Sequence, residues 1–500
     1  MAAARVHRGG GIGPRIGLLA VCAAWLAAPA AFAAEPAAAP ARDRQVLAAV
    51  DAYAGQQARI VQALWAQPEL GYLETQSSHL LQQRLREAGF QVQAGVAGIP
   101  TAFVARAGQR GKGPVIALLA EMDALPGMAQ AAQPERMPIA GQDAGQACGH
   151  NLFAAAAVGA AQAIATWLRQ SGSDGEIRVY GTPAEEGGSG KVYMTRAGLF
   201  DDVDVVLHWH PADANSAAQG TSLANISGKF RFHGRAAHAA ISPERGRSAL
   251  DGVEALDYMA NMMREHVPDG TRIHYAITDG GRAPNVVPDR AEVYYYVRHT
   301  DPAVVRDVFE RIGKAAEGAA LGTGTRVEFE QTGGVFALLP NDTLGRVVDA
   351  ALREVGGVAY SPAEQAFAER LQQSLERRPP LQQAAAIEPY GVDGRGGAST
   401  DVGDVSWNVP TAGFSVATWV PGTPAHSWQA VAASGAAVGE NGALNAARVL
   451  ALAATALYRS PQTVAQARQE FERRRGPDFR YRPLLERDTP PLDYRRVEER

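Results

Sequence analysis

Cysteine is nearly missing from this sequence: 500 residues hold two, Cys22 and Cys148. Cys22 lies in a segment expected to be cleaved away, so the mature chain can form no internal disulfide. A lone thiol that persists in an oxidising compartment is buried or metal-bound, because an exposed one is oxidised. An excess of positive charge is lacking as well. The formal charge is −4, and losing the three arginines of the first 34 residues makes it more negative, which argues against nucleic acid as a partner. No long polar tract and no internal repeat is present, so disorder is expected only at the ends. Past the leader, the mature chain is read as having no membrane span.

The leader itself is informative. Arg5, Arg8 and Arg15 precede the apolar run 16–28, and Ala31-Phe32-Ala33 offers small residues for cleavage. That pattern predicts a signal peptide over residues 1–34 and a secreted, periplasmic mature protein. A lipoprotein signal at Cys22 is disfavoured, since Val21 is too large for the position before a lipidated cysteine.

Apolar spacing predicts helices between residues 42 and 90, broken at Pro68-Glu-Leu-Gly71, then strands over 91–96, 101–107 and 115–120. A helix over 151–170, a strand over 176–182, a helix over 191–197 and a strand over 203–207 follow. Strands that alternate with helices imply a mainly parallel sheet, and the polar motifs fall just after its strands, where such sheets bind ligands. The pattern then changes. Residues 224–335 read β-α-β-β-α-β, an α+β sandwich inserted between two parts of an α/β catalytic domain, 42–223 and 336–460. In the second part, a strand is expected over 412–419 and one closing helix over 435–457. Residues 461–500 form a C-terminal extension, expected as a helix and a partly ordered tail.

The chemistry concentrates in Gln146-Ala-Cys148-Gly-His150-Asn151 and Glu185-Glu186. Thiolate, imidazole and carboxylate together suit a borderline-soft divalent cation. Glu186 is assigned to metal, and Glu185 to moving a proton between water and a leaving amine. His208 and His210 are both candidates at the next strand end, on one face if the strand continues. His426 follows the last sheet strand and is a further candidate ligand. Asp123, at the end of a strand, is placed to orient a ligand imidazole. In the insertion, His238 and Asn285 could stabilise an oxyanion, and Arg298 could hold a carboxylate, if that part folds over the metal.

The stretches IALLAEMDALPG, GQACGHNL, RVYGTPAEEGGSGKVYM, DDVDVVLHWHP, FHGRAAHAAISPERGRSALD, HYAITDGGRAPNVVPD and VPGTPAHSWQ together resemble the metallopeptidase and amidohydrolase family of aminoacylase, carboxypeptidase G and the plant auxin-conjugate hydrolases. The resemblance implies a zinc-peptidase-like catalytic domain and a lid that also dimerises. It implies two divalent metal ions, zinc or manganese, held by Cys148, His150, Glu186, His210 and His426. The family's last ligand falls twenty-four positions past the metal-binding glutamate, which selects His210 over His208. It further implies Glu185 as general base, His238 and Asn285 at the scissile carbonyl and substrate, and Arg298 near the substrate carboxylate. The expected activity is hydrolysis of N-acyl amino acids, p-aminobenzoyl-glutamate-like substrates favoured. A dipeptidase, another deacylase or a non-catalytic partner protein is the alternative. A homodimer through the lid is expected, or a heteromer with a related chain. Many relatives have His-x-Asp where this chain has Glu121-Met-Asp123, so Glu121 is not assigned as a ligand; Asp401 and Asp404 are left without a role.

Overall fold

The computed structural model describes residues 41–392 and 394–496; the expected signal peptide lies outside them. The chain enters through α1 (Ala41–Ala66) and α2 (Thr75–Glu87). The first helix stops short of Pro68, as the restricted residue before a proline requires. Next come β1 (Gln91–Ala94), β2 (Phe103–Gly108), β3 (Val115–Ala120), α3 (His150–Ser171), β4 (Glu176–Gly181), α4 (Gly190–Arg196), β5 (Val205–Leu207), β6 (His210–Ala212) and β7 (Gly220–Thr221).

The insertion follows as β8 (Ala224–His233), α5 (Ala249–Met263), β9 (Arg272–Asp279), β10 (Arg290–His299), α6 (Pro302–Thr323) and β11 (Arg326–Val335). The remainder is α7 (Asp342–Val355), α8 (Pro362–Gln372), β12 (Gly394–Arg395), α9 (Val402–Ser406), β13 (Thr411–Ala412), β14 (Ser415–Ala417), α10 (Trp428–Ser434), α11 (Ala437–Arg459) and α12 (Pro461–Arg475).

The main sheet runs β1-β2-β4-β3-β5-β13. Its β4, β3, β5 and β13 are parallel, and β1 and β2 add an antiparallel edge. Every residue of β3 is buried, as a continuous apolar run covered on both faces must be. The alanine-rich α3 packs between α1 and α11 against this sheet. It is the one helix among the described residues long and apolar enough to cross a membrane, and it is 94% buried in the core.

The insertion forms its own antiparallel sheet, β11-β8-β10-β9, with α5 and α6 on one face and a separate apolar core. Strand alternation sorts the two faces. Phe230, Phe232, Val293, Tyr295 and Val297 turn inward to that core, while Lys229, Arg231, Tyr294, Tyr296 and Arg298 occupy the polar face.

Three expectations need correction. The strand expected over 412–419 is two short strands, β13 pairing with β5 and β14 with β6. Correspondingly, β5 ends before His208 and β6 begins at His210, so the two histidines do not share one strand. The closing helix is split into α10 and α11 around Gly435, where a Cβ would lie 2.3 Å from the Trp65 ring. The tail beyond α12 is docked along its described length, with Leu484 and Leu485 each 1% exposed.

Between the two strands, Trp209 is fully buried, stacks on Phe153 and donates from Nε1 to the Phe153 carbonyl at 3.2 Å. Trp209→Ala would open a large cavity beside His210. It should cost about 3–5 kcal/mol of unfolding free energy, measurable as a lowered urea midpoint.

Candidate metal centre

Loops at the carboxyl ends of β3, β4 and β5 converge on the start of α3. Gly149 precedes that helix at φ 74°, a left-handed conformation that suits glycine. A Cβ there would also meet Pro211 at 2.8 Å. This tight turn brings Cys148 and His150 to one side of the helix start.

Cys148 Sγ lies 3.4 Å from His210 Nε2. His426 Nε2 lies 3.1 Å from Glu186 Oε1, and the His426 backbone N–H is tied to the Ala147 carbonyl at 3.0 Å. Ligand atoms of Cys148, His150 and His210 fall within 4.8 Å of one another, and so do those of Cys148, Glu186 and His426. Cys148 is common to both sets. His150, Glu185 and Glu186 form a third set.

Asp123 organises the two loops. His150 Nδ1 faces the Asp123 carbonyl at 2.9 Å and Oδ1 at 3.1 Å, and Asp123 Oδ2 accepts the Glu186 N–H at 2.8 Å. With its proton on Nδ1, His150 keeps the Nε2 lone pair for another partner. Among the described residues, that Nε2, Glu121 Oε2 and Glu186 Oε1 are buried and without hydrogen bonds. Buried polar atoms left unpaired are costly, and inward-facing imidazole, carboxylate and thiol groups fit bound cations. Burial pushes the Cys148 thiol up, so holding it as thiolate needs a nearby positive charge.

Charge crowds this region. Glu121, Glu185 and Asp401 bring carboxylate oxygens within 4.8 Å of one another. The fully buried Lys191 ammonium sits 2.6 Å from Asp401 and 2.7 Å from Glu121. Burial opposes its charge, but these two carboxylates outweigh that and raise its pKa. Burial also raises Glu185, and Glu121, Glu186 and Asp401 push it the same way. A carboxyl so placed holds a proton readily. Backbone geometry adds strain: Ala184 and His426 have φ of 57° and 56°, a region costing side-chain-bearing residues about 1–3 kcal/mol each.

His208 belongs to none of these sets. It packs on Gly413, where an added Cβ would come within 2.3 Å of its Nε2, and desolvation holds its imidazole at about 4. His238 and Asn285 are exposed and face each other's loops through a His238–Val286 bridge. His238 Nδ1 accepts from the backbone of its own turn, at Ala240 and Ile241. Arg298 is half-buried, donates to Ser399 Oγ at 2.9 Å and lies over the Tyr296 ring. Asp404 accepts the Phe336 N–H and the Tyr481 hydroxyl.

Two buried groups escaped sequence reasoning. Lys191 has no sequence signal, since most lysines are solvated. Glu74 accepts the Ala184 N–H at 2.8 Å and the Thr101 hydroxyl at 3.0 Å, setting the residue before the glutamate pair.

A profile of the peptidase family M20/M25/M40 matches residues 117–427. One of the two polypeptides of the p-aminobenzoyl-glutamate hydrolase of Escherichia coli K12 is 40% identical over 442 residues, covering 83% of this chain and 91% of that protein. The Xaa-Arg dipeptidase of Mus musculus is 29% identical over 446 residues, 86% of this chain and 92% of that protein. Among solved structures, a dinuclear metal-binding M20 peptidase from Bacillus subtilis aligns with TM-score 0.55 at 19% identity, over 82% of this chain and 99% of that one. An aminobenzoyl-glutamate utilization protein from Klebsiella pneumoniae aligns at TM-score 0.52 and 21% identity, over 80% and 98%. These two likenesses show the fold.

Burial, then the neighbouring Asp123, push Glu74 from 4.5 up to about 8. Across that window the folded carboxyl keeps a proton that the unfolded chain has lost, so stability falls as pH rises. Glu74→Gln imitates the protonated form. In metal-free protein, the urea midpoint of the wild type should fall between about pH 5 and 8, and the variant's should fall less.

Proposed function

The chain belongs to the peptidase family M20/M25/M40, and on that premise we propose that it is a secreted two-metal amidohydrolase of N-acyl amino acids, p-aminobenzoyl-glutamate-like compounds foremost. As a member of this family it is a hydrolase of amide bonds. The reading is carried by one observation. Cys148, His150, Glu186, His210 and His426, spread over nearly three hundred positions of sequence, place their ligand atoms in two overlapping sets around one thiol.

Those five side chains would hold the cations. Zinc suits the thiolate and imidazoles, and manganese is the other choice. Bound divalent cations supply Lewis acidity that acidifies water and polarises an amide carbonyl. The protein does the rest. Asp123 fixes the His150 ring and the Glu186 loop. Glu185 takes a proton from the attacking water and returns it to the departing amine, so that amide and water become carboxylic acid and amine. Its raised proton affinity supports this two-way role. His238 and Asn285 are assigned to the scissile carbonyl and substrate, reached when the lid closes or pairs, and Arg298 to a substrate carboxylate.

The substrate preference rests on the 40% identity to a p-aminobenzoyl-glutamate hydrolase polypeptide; a dipeptidase is the rival, given the likeness to Xaa-Arg dipeptidase. Secretion to the periplasm rests on the leader pattern in residues 1–34. Self-association through the lid rests on its edge strand β9. This strand leaves Tyr275 and Ile277 exposed, next to exposed Tyr258 and Met262 on α5, with Asn261 bonded to the Tyr275 hydroxyl. Exposed apolar side chains grouped on a sheet edge mark a pairing surface.

Glu185→Gln should retain metal, measured by elemental analysis, while hydrolysis of p-aminobenzoyl-glutamate falls at least ~100-fold. Full activity in that variant would remove the proton-shuttle assignment. A panel that adds dipeptides ending in arginine and N-acetyl amino acids separates the substrate classes. Ile277→Asp should shift the protein from dimer to monomer in sedimentation equilibrium; an unchanged mass would exclude β9 as the interface.

A further inference from the structure

The segment after α12 runs through both parts of the molecule and ends at the glutamate loop. Phe479 lies against Trp407, with ring centroids 4.8 Å apart, and Tyr481 donates to the buried Asp404 at 2.7 Å. Asp404 also accepts the Phe336 N–H at the exit from the insertion. The strap then pairs with β11, where Gln331 Nε2 donates to the Leu484 carbonyl and Gln331 Oε1 accepts the Glu486 N–H, at 2.7 and 2.8 Å. Next it crosses α4. Arg196 donates to the Leu485 and Arg487 carbonyls, and Tyr193 to the Thr489 carbonyl at 3.3 Å.

Its last described residues reach Glu186. Arg495 Nη2 donates to the Glu186 carbonyl at 2.5 Å, and the Tyr494 hydroxyl to the same oxygen at 3.3 Å. The Tyr494 ring meets Tyr72 edge-on at 5.6 Å, and Tyr72 in turn donates to the Gly188 carbonyl at 2.6 Å. Glu186 is thus held from two sides, its N–H by Asp123 and its carbonyl by the strap.

This loop needs such restraint. It follows Ala184 at positive φ, contains Gly187 at φ 102° and Gly188, and ends at Ser189, again at positive φ. A glycine-rich segment with strained neighbours has many alternatives to the conformation that aims Glu185 and Glu186 inward. Upstream anchors at Tyr481, Leu484 and Thr489 already fix the strap, so little further chain entropy is lost when its end binds.

We infer that Tyr494 and Arg495 are positioning residues: the C-terminal strap holds the Glu185–Glu186 loop in the geometry that binds metal and moves the proton. This rests on the two-metal reading above, and it concerns residues beyond the stretch that the family profile matches, 117–427.

The test compares the full chain with chains ending at Arg496 and at Asp493, and with Arg495→Ala and Arg495→Lys. Zinc release to a chelator should be ~10–100-fold faster in the Asp493 chain and in Arg495→Ala, the usual effect of losing a partner behind a metal ligand. Their kcat should fall comparably with KM within about threefold, and melting temperature should stay within ~2 °C, since the exposed strap end contributes little core. Arg495→Lys, which keeps a donor, should recover part of both, and the Arg496 chain should match the full one. Hydrogen exchange over residues 185–188 reads the loop without metal or substrate, and it should speed up in the Asp493 chain. Unchanged exchange, or unchanged zinc release and kcat in that chain, would overturn the strap's role. If the full chain took up no zinc, the two-metal reading would fall, while the exchange comparison would still decide the strap.

Discussion

The structure is organised by the cost of gathering carboxylates away from water. Glu74, Glu121, Asp123, Glu185, Glu186 and Asp401 surround one thiol and three imidazoles, with the Lys191 ammonium buried among them. Like charges at such separations disfavour one another, and burial disfavours each singly. Lys191 offsets part of this at Glu121 and Asp401. The remainder is met by protons in the metal-free protein, as the raised Glu74 and Glu185 indicate, and would be met by divalent cations when they bind. The same crowding that is costly for the fold therefore gives it affinity for metal.

Holding that charge requires rigid supports on every side. The ligands stand at strand ends and at the start of α3, elements fixed by the main core. The loops between them are tied by single buried acceptors. Asp123 joins the first ligand loop to the second, Glu74 sets the approach to the glutamate pair, and Asp401 binds both backbone and side chain of Lys191. Asp404, three residues on, ties the exit of the insertion to the C-terminal strap. A continuous run of buried hydrogen bonds thus connects the metal site to the hinge on which the insertion sits.

Much of this was legible in the sequence where local chemistry is unambiguous. The spacing of apolar residues marked α1, α3, β3 and the β-α-β-β-α-β insertion, since those elements bury a face that their own residues define. The ligands Cys148, His150 and Glu186 announced themselves because such residue types seldom adjoin without a metal. Short strands were less legible. Between Ala412 and Trp419 the chain changes pairing partner, a choice made by β5 and β6 rather than by its own residues. His208 and His210 could be separated by family spacing but not by pattern, since two histidines at a strand end look alike until one is packed on Gly413.

Residues whose role depends on distant partners left no sequence signal. Lys191 is a lysine like any other until Glu121 and Asp401 close on it, and the charged, proline-rich tail reads as solvated until Leu484 finds β11. The sequence by itself determined which elements form and which side chains can bind a cation, because both follow from neighbours within a few residues. Only the tertiary structure decided which carboxylate faces metal, which faces Lys191, and where the chain's end comes to rest. Those outcomes depend on burial and charge balance among groups hundreds of residues apart, and only the folded chain brings them into contact.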